Sequence, residues 1–123
     1  MASNYERGRY TEYKAIRHLK KEGFFYCTRS PASKGMFDVV GVGVGGGILL
    51  QLKRTKRKRL VPSMYRDEFA EIQTWVDSLP VLPDNIRVEF WIMRDGIRKF
   101  TKIRFYKNKK PKIYEGNDED VRL

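Results

Sequence analysis

Two β-like runs joined by a glycine-rich segment constrain the fold of this 123-residue chain more than any other feature. The runs extend from Met36 to Val42 and from Gly47 to Lys53. Their length and the glycines between them predict a β-hairpin. If Val44 and Gly45 form a two-residue turn, residues whose numbers add up to about 89 lie opposite each other in this hairpin.

This register places chemically informative side chains together. Asp38 would face Gln51 across the hairpin, at about 5 Å. Because side chains alternate along a strand, Gln51 and Lys53 share one face, whereas Leu50 and Leu52 occupy the other face and point to the core. The hairpin therefore predicts a carboxylate, an amide and an ammonium group on one surface.

The remaining pattern predicts two helices and three more strands around the hairpin. Gly23 would end the first helix, and Asp95-Gly96 would join the last two strands. The predicted elements are a helix from about Tyr5 to Glu22, a strand at Phe24 to Thr28, a helix at Tyr65 to Leu79, and strands at Ile86 to Met93 and Arg98 to Phe105. This order predicts an α/β protein with one mixed central sheet of about five strands, flanked by helices. We expect one domain over residues 1–123, with an acidic, flexible tail from about residue 114.

The net charge of the chain limits the kinds of molecule that it is expected to bind. The chain has 26 Lys and Arg against 15 Asp and Glu, a net charge of +11. Such an excess indicates a polyanionic partner, with nucleic acid as the first candidate and an anionic membrane surface as the second. Cations are densest in one segment, which holds Lys53, Arg54, Lys56, Arg57, Lys58 and Arg59.

Other classes are excluded by what the chain lacks. No run approaches the roughly 18–20 apolar residues that span a bilayer, and the N-terminus has no apolar signal-peptide run. Cys27 and His18 are the only residues of their types, which excludes an internal disulfide and a Cys/His zinc site. We therefore expect a cytoplasmic protein that does not enter a membrane.

Glu12 adds a second carboxylate. It precedes Ile16 by four residues and Leu19 by seven, so it lies on the inward face of the first helix. A carboxylate there needs a cation or a hydrogen-bond donor to offset desolvation, which Lys53 or a bound metal could supply. The oxygen donors on offer are the carboxylates of Glu12 and Asp38, the Gln51 amide and the Leu52 backbone carbonyl. Oxygen donors of this kind suit Mg²⁺.

These motifs resemble a known nuclease family. Asp38 followed after 12 residues by Gln51-Leu52-Lys53 is similar to the PD-(D/E)xK nuclease superfamily. The resemblance narrows to the archaeal-type Holliday junction resolvases and covers about residues 5 to 59. The residues that carry it, in order, are Arg7-Gly8, Glu12, Glu22-Gly23-Phe24, Arg29-Ser30, Ser33-Lys34 and Asp38.

The resemblance implies a restriction-endonuclease-like fold and a homodimeric, Mg²⁺-dependent endonuclease, with Mn²⁺ as a substitute metal. It would cut two opposing strands of a four-way DNA junction. By the same resemblance Asp38 would bind the metal directly, and Glu12 would bind it through water. Lys53 would act on the nucleophile or the transition state.

The resemblance also implies DNA contacts. Ser33 corresponds to a serine in a loop that approaches the substrate and is counted with the catalytic set. Arg7 and Arg29 correspond to basic positions at the DNA backbone. The full set of expected DNA-contacting residues is Arg7, Arg9, Arg29, Lys34, Arg54, Lys56, Arg57, Lys58 and Arg59.

Two positions depart from the family pattern. Phe37 stands before Asp38 where the superfamily has proline, and Gln51 stands where the family usually carries glutamate. The amide removes one negative charge from the expected metal site. Three interpretations follow: a naturally active variant, an engineered or trapped inactive form, and a basic DNA-binding module without catalysis. Another endonuclease of the superfamily, acting in repair or restriction, is a further alternative.

Overall fold

The computed structural model describes residues 4–30, 35–57 and 62–116. They form two α-helices and one six-stranded sheet whose strands lie in chain order. Strands β3 and β4 are parallel, and every other neighbouring pair is antiparallel. The elements are α1 (Asn4–Lys21), β1 (Phe24–Arg29), β2 (Val39–Gly43), β3 (Gly46–Thr55), α2 (Arg66–Ser78), β4 (Ile86–Arg94), β5 (Thr101–Tyr106) and β6 (Lys109–Glu115). The α/β class with a mixed sheet is confirmed, with six strands where about five were expected.

Both helices lie where the pattern predicts them. The observed bounds of α1 and α2 differ by one residue at each end from the predicted bounds. Gly23 follows α1 with a φ of 105°, a backbone conformation that glycine adopts without strain. No helix within the described ranges is long and apolar enough to cross a membrane.

The sixth strand was not predicted. Lys107 and Asn108 turn the chain after β5, and Asn108 has a φ of 59°. Strand β6 lies at the edge of the sheet and exposes most of its side chains, so it lacks the apolar alternation that marks a half-buried strand. Tyr114 and Glu115 belong to this strand, which corrects the expected start of the tail. Residues 117–123 of that tail lie outside the described residues.

The sheet is covered on both faces, and β4 shows this most clearly. Trp91 belongs to the core cluster on the α1 side, together with Leu19 and Leu50. Its neighbour Phe90 belongs to the cluster on the α2 side, together with Ile72. All five side chains are fully buried. Alternate residues of the central strands therefore point to different helices, as expected for a two-sided sheet.

The hairpin has the predicted register. Val39 pairs with Leu50 and Gly43 pairs with Gly46, so Val44 and Gly45 form the two-residue turn. Gly46 has a φ of 134°, and a Cβ atom there would lie 1.9 Å from the Asn85 carbonyl oxygen. The approach of the β3 and β4 ends thus requires glycine at this position.

Candidate active site at the open end of the hairpin

Asp38 is held by three hydrogen bonds just before β2 begins. Its backbone N–H donates to the Leu50 carbonyl at 2.8 Å, and its carbonyl accepts from the Ser30 N–H at 2.8 Å. Its carboxylate oxygen Oδ2 accepts from the Leu52 N–H, also at 2.8 Å. Bonds to the segment after β1 and to β3 therefore fix both the backbone and the side chain.

Phe37 gives the same segment an apolar anchor. Its ring meets the Trp75 ring of α2 edge to face, with centroids 5.3 Å apart. Such pairs contribute about 0.5–1.5 kcal/mol beyond the burial of their area. The aromatic residue in the place of proline thus ties the chain before Asp38 to α2.

The charges of Glu12 and Lys53 act on the Asp38 carboxyl. Burial raises the pKa of the Asp38 carboxyl above its ordinary value, and the nearby charge of Glu12 raises it further. The Leu52 hydrogen bond and the charge of Lys53 act in the opposite direction. Glu12 comes from α1, whereas strand alternation places Lys53 on the α2 side. The charges of both groups act on the Asp38 carboxyl.

The cation that compensates Glu12 is Arg29. Its Nε atom donates to Glu12 Oε1 at 2.5 Å, and the Glu12 side chain is 17% exposed. This bond raises the pKa of the Arg29 guanidinium. The expectation that Lys53 or a metal compensates Glu12 is corrected here, because Arg29 at the end of β1 already does so. It also engages one of the two Glu12 oxygens.

Lys53 has an additional carboxylate neighbour on α2. Its Nζ atom lies 3.9 Å from Glu68 Oε1, and both side chains are about one-third exposed. A pair this long and exposed contributes little stability. Glu68 therefore holds the Lys53 ammonium group only loosely. No sequence signal indicated Glu68, since only the crossover through α2 brings it to the end of β3.

Gln51 and Leu52 offer two further oxygen donors. The predicted pairing of Asp38 with Gln51 is not part of the ladder, because the Asp38 N–H bonds the Leu50 carbonyl and its carboxylate bonds the Leu52 N–H. Gln51 lies between Leu50 and Leu52 in the chain, and its half-buried side chain shares the α2 face with that of Lys53. In an extended strand the N–H and C=O of one residue point to the same side. Because the Leu52 N–H meets Asp38, the Leu52 carbonyl points toward that side too.

The number and type of these donors decide whether they suit Mg²⁺. The described residues contain no group of three or more His, Cys, Asp and Glu that could hold a metal. Magnesium typically takes one or two carboxylates and completes its coordination with waters and substrate phosphates. Asp38, Glu12, the Gln51 amide and the Leu52 carbonyl are oxygen donors of the kind that this ion takes, and a site built from them would rely on water and phosphate for its remaining ligands.

Two of the expected DNA-contacting arginines bracket Tyr13 beside Glu12. The Arg9 and Arg29 guanidinium carbons lie 5.6 and 5.0 Å from the centre of the Tyr13 ring. Both side chains also hydrogen-bond the Tyr13 hydroxyl at 3.5 Å, and Arg9 leads in lowering its pKa. Sequence analysis missed Tyr13, although its spacing of four residues from Arg9 on a helix is a recognisable signal.

The other expected cations differ in their surroundings. Arg54 pairs with Asp95 at 3.1 Å, whereas Lys56 and Arg57 are exposed. Several expected positions lie outside the described residues: Ser33, Lys34, Lys58 and Arg59. The backbone of Arg7 belongs to α1, but its side chain is not among those described.

Comparisons with known proteins give likenesses to solved structures. No protein-family model and no curated protein matches the sequence. Among solved structures, the chain is similar to Archaeoglobus fulgidus Hjc, a Holliday junction resolvase from an archaeal hyperthermophile. The TM-score is 0.48 and the identity is 12%, over 81% of this chain and 83% of that chain. The geometry of the site therefore has to carry any functional conclusion.

Proposed function

We propose that this protein is a metal-dependent endonuclease that cuts branched DNA, with the four-way junction as its substrate. One observation carries the proposal. A desolvated carboxylate, Asp38, is fixed by three hydrogen bonds and lies in the fields of both Glu12 and Lys53. This group sits in a chain with a net charge of +11, which attracts the DNA backbone.

Each group of the site has a role in this proposal. Asp38, the Gln51 amide and the Leu52 carbonyl would hold Mg²⁺, Glu12 would hold it through water, and Mn²⁺ would substitute. The bound ion supplies Lewis-acid activation of the scissile phosphate and of water. Lys53 places an ammonium charge beside the phosphate, where negative charge develops during hydrolysis. Arg29 positions the Glu12 carboxylate through its 2.5 Å hydrogen bond.

The substrate class follows from the type of contact. Lys and Arg side chains bind phosphates without reading bases, so the protein would select DNA by shape. A two-fold homodimer would present one identical site to each of two symmetric strands, which accounts for paired cuts.

The test is a cleavage assay on a labelled four-way junction and a linear duplex with the same arm sequences. We expect cuts in the junction with Mg²⁺ or Mn²⁺ and none when EDTA is added. Equal cleavage of the linear duplex would indicate an endonuclease of repair or restriction instead. If the DNA stays intact with either metal, the protein is a DNA-binding module without catalysis.

That second candidate, binding without catalysis, is favoured by two observations at the metal site. Gln51 supplies an amide where a carboxylate would bind a cation more strongly, and Arg29 already occupies one oxygen of Glu12. Both features weaken the attraction for Mg²⁺. They do not affect the attraction of the basic surface for DNA.

The variant Gln51→Glu tests how much the missing charge matters. Because it adds a negative charge beside Asp38, this variant should lower the Mg²⁺ concentration for half-maximal cleavage by about tenfold. A tenfold change corresponds to about 1.4 kcal/mol of binding free energy. Calorimetric titration with Mn²⁺ would measure the same change in binding. The matched control is Asn85→Asp, which adds the same charge at an exposed residue just before β4, at the other end of the sheet. Equal effects of the two variants would contradict a metal site at Gln51.

A further inference from the structure

A second basic surface lies on the side of α1 away from Glu12. A cavity of about 380 Å³ opens between α1 and the segment that joins β4 to β5. Its described lining contains one carboxylate, Glu115, and five lysine or arginine side chains. The five cations are Lys14, Arg17, Lys21, Arg98 and Lys99.

The single acid of the cavity is already neutralised from within. Lys102 is fully buried, and its Nζ atom lies 2.7 Å from Glu115 Oε2. This hydrogen bond lowers the pKa of the Glu115 carboxyl, which keeps it charged and paired. The same ammonium lies 2.5 Å from His18 Nε2 and 3.1 Å from Glu22 Oε1. Lys102 therefore connects α1 to β6 at the wall of the cavity and neutralises the Glu115 carboxylate.

Most of the lining cations are not neutralised by a described acid. Lys14 donates to the Arg98 carbonyl at 3.1 Å and lies 5.8 Å from the centre of the Phe100 ring, which holds the two sides of the cavity together. Arg17, Lys21 and Arg98 are exposed and form no ion pair with any other described residue. Several cations with one satisfied acid make a site for anions.

The chemistry of the lining favours phosphate over a nucleobase. Two rings line the cavity. Phe100 is only 3% exposed, so it offers no face on which a base could stack, and the ring of His18 is engaged at Nε2 by Lys102 and Glu22. Arginine side chains bind phosphate oxygens through two parallel hydrogen bonds. The ligand class that fits is a phosphate group carried by a large, accessible molecule.

The position of the cavity separates it from the site at Asp38. At 100° per residue, Arg17 and Lys21 lie about 140° and 180° around the α1 axis from Glu12. A helix with its side chains is about 10–12 Å across. One phosphate therefore cannot contact Glu12 and the cavity at the same time.

We propose that this cavity binds backbone phosphates of a DNA segment other than the one being cut, which in a branched substrate is a second duplex arm. The assignment to a second arm rests on the proposed function. Phosphate binding itself does not, because it needs no cleavage and no metal.

The test compares R17Q/K21Q with K109Q/K110Q by equilibrium binding in EDTA. Each double variant removes two exposed charges, and the control pair lies at the opposite end of β5 from the cavity. For R17Q/K21Q we expect about tenfold weaker junction binding, and a slope of log K against log salt that is smaller by about two. For the same variant we expect a smaller loss of affinity for linear duplex. The control should change its affinities for junction and duplex by less than about threefold.

Each outcome is informative. If the two double variants bind the junction with the same affinity, the cavity is not a phosphate site. Equal losses on junction and duplex for R17Q/K21Q would overturn the second arm. If the wild-type protein cuts no DNA but R17Q/K21Q still shows the selective loss, the nuclease proposal fails while the cavity remains a DNA site. If the wild-type protein cuts the junction but R17Q/K21Q shows no loss of affinity, the cavity proposal fails while the nuclease proposal stands.

Discussion

Replacing Asp38 with asparagine is expected to reduce the rate of junction cleavage by about 10³-fold. The asparagine oxygen can still accept the Leu52 N–H, so the backbone around position 38 should stay in place. The negative charge that would hold Mg²⁺ disappears. Single-turnover cleavage with saturating enzyme measures this effect separately from DNA binding.

Binding and folding should not weaken in Asp38→Asn. Removing a desolvated charge costs no stability, because burial already disfavours the ionised form of this group. The dissociation constant for the junction should stay within about threefold of the wild-type value. Asp67→Asn is the matched control, since Asp67 is an exposed acid in the first turn of α2. A cleavage rate for Asp38→Asn within tenfold of wild type would refute the assigned role.

Lys53→Met is expected to lower the cleavage rate by about 10²-fold. Methionine preserves much of the unbranched apolar stem, so the strand and its packing should be kept. Only the ammonium group is lost, and its distance of 3.9 Å from Glu68 shows that it stabilises the fold little. The expected pattern is a fall in the single-turnover rate at saturating enzyme with a nearly unchanged dissociation constant.

The control for this variant is Lys56→Met, which removes an exposed cation three residues further along the chain. It should weaken binding by a few-fold and leave the rate at saturation unchanged, as expected for a phosphate contact. A Lys53→Met protein that loses affinity in the same way, with a normal rate, would show that Lys53 is an ordinary DNA-contacting residue. Thermal unfolding of both variants checks that each remains folded.

Local patterns predicted much of this fold. The bounds of α1 and α2 and the register of the hairpin depend on nearest neighbours and on turn geometry, which the chain order alone expresses. The same reasoning missed β6, because an edge strand with one partner can be polar on both faces. Its last residues, Tyr114 and Glu115, fall in the segment that was predicted to be a tail.

The candidate site was predictable in part. The placement of Gln51 and Lys53 on one face follows from strand alternation, and the inward position of Glu12 follows from helix periodicity. The partners of these groups did not follow. Arg29 reaches Glu12 only because β1 ends beside α1, and Glu68 reaches Lys53 only because α2 crosses to the other face.

By itself, the sequence determined the helices, the hairpin and its register, and the excess of positive charge, since each of these depends on residues close together in the chain or on composition. Only the tertiary structure decided which charges meet. It joined Glu12 to Arg29, fixed Asp38 between Ser30 and β3, and gathered cations from α1 and the β4–β5 connection around one cavity. Electrostatic energy depends on distance in space, and chain order does not specify the distance between remote segments.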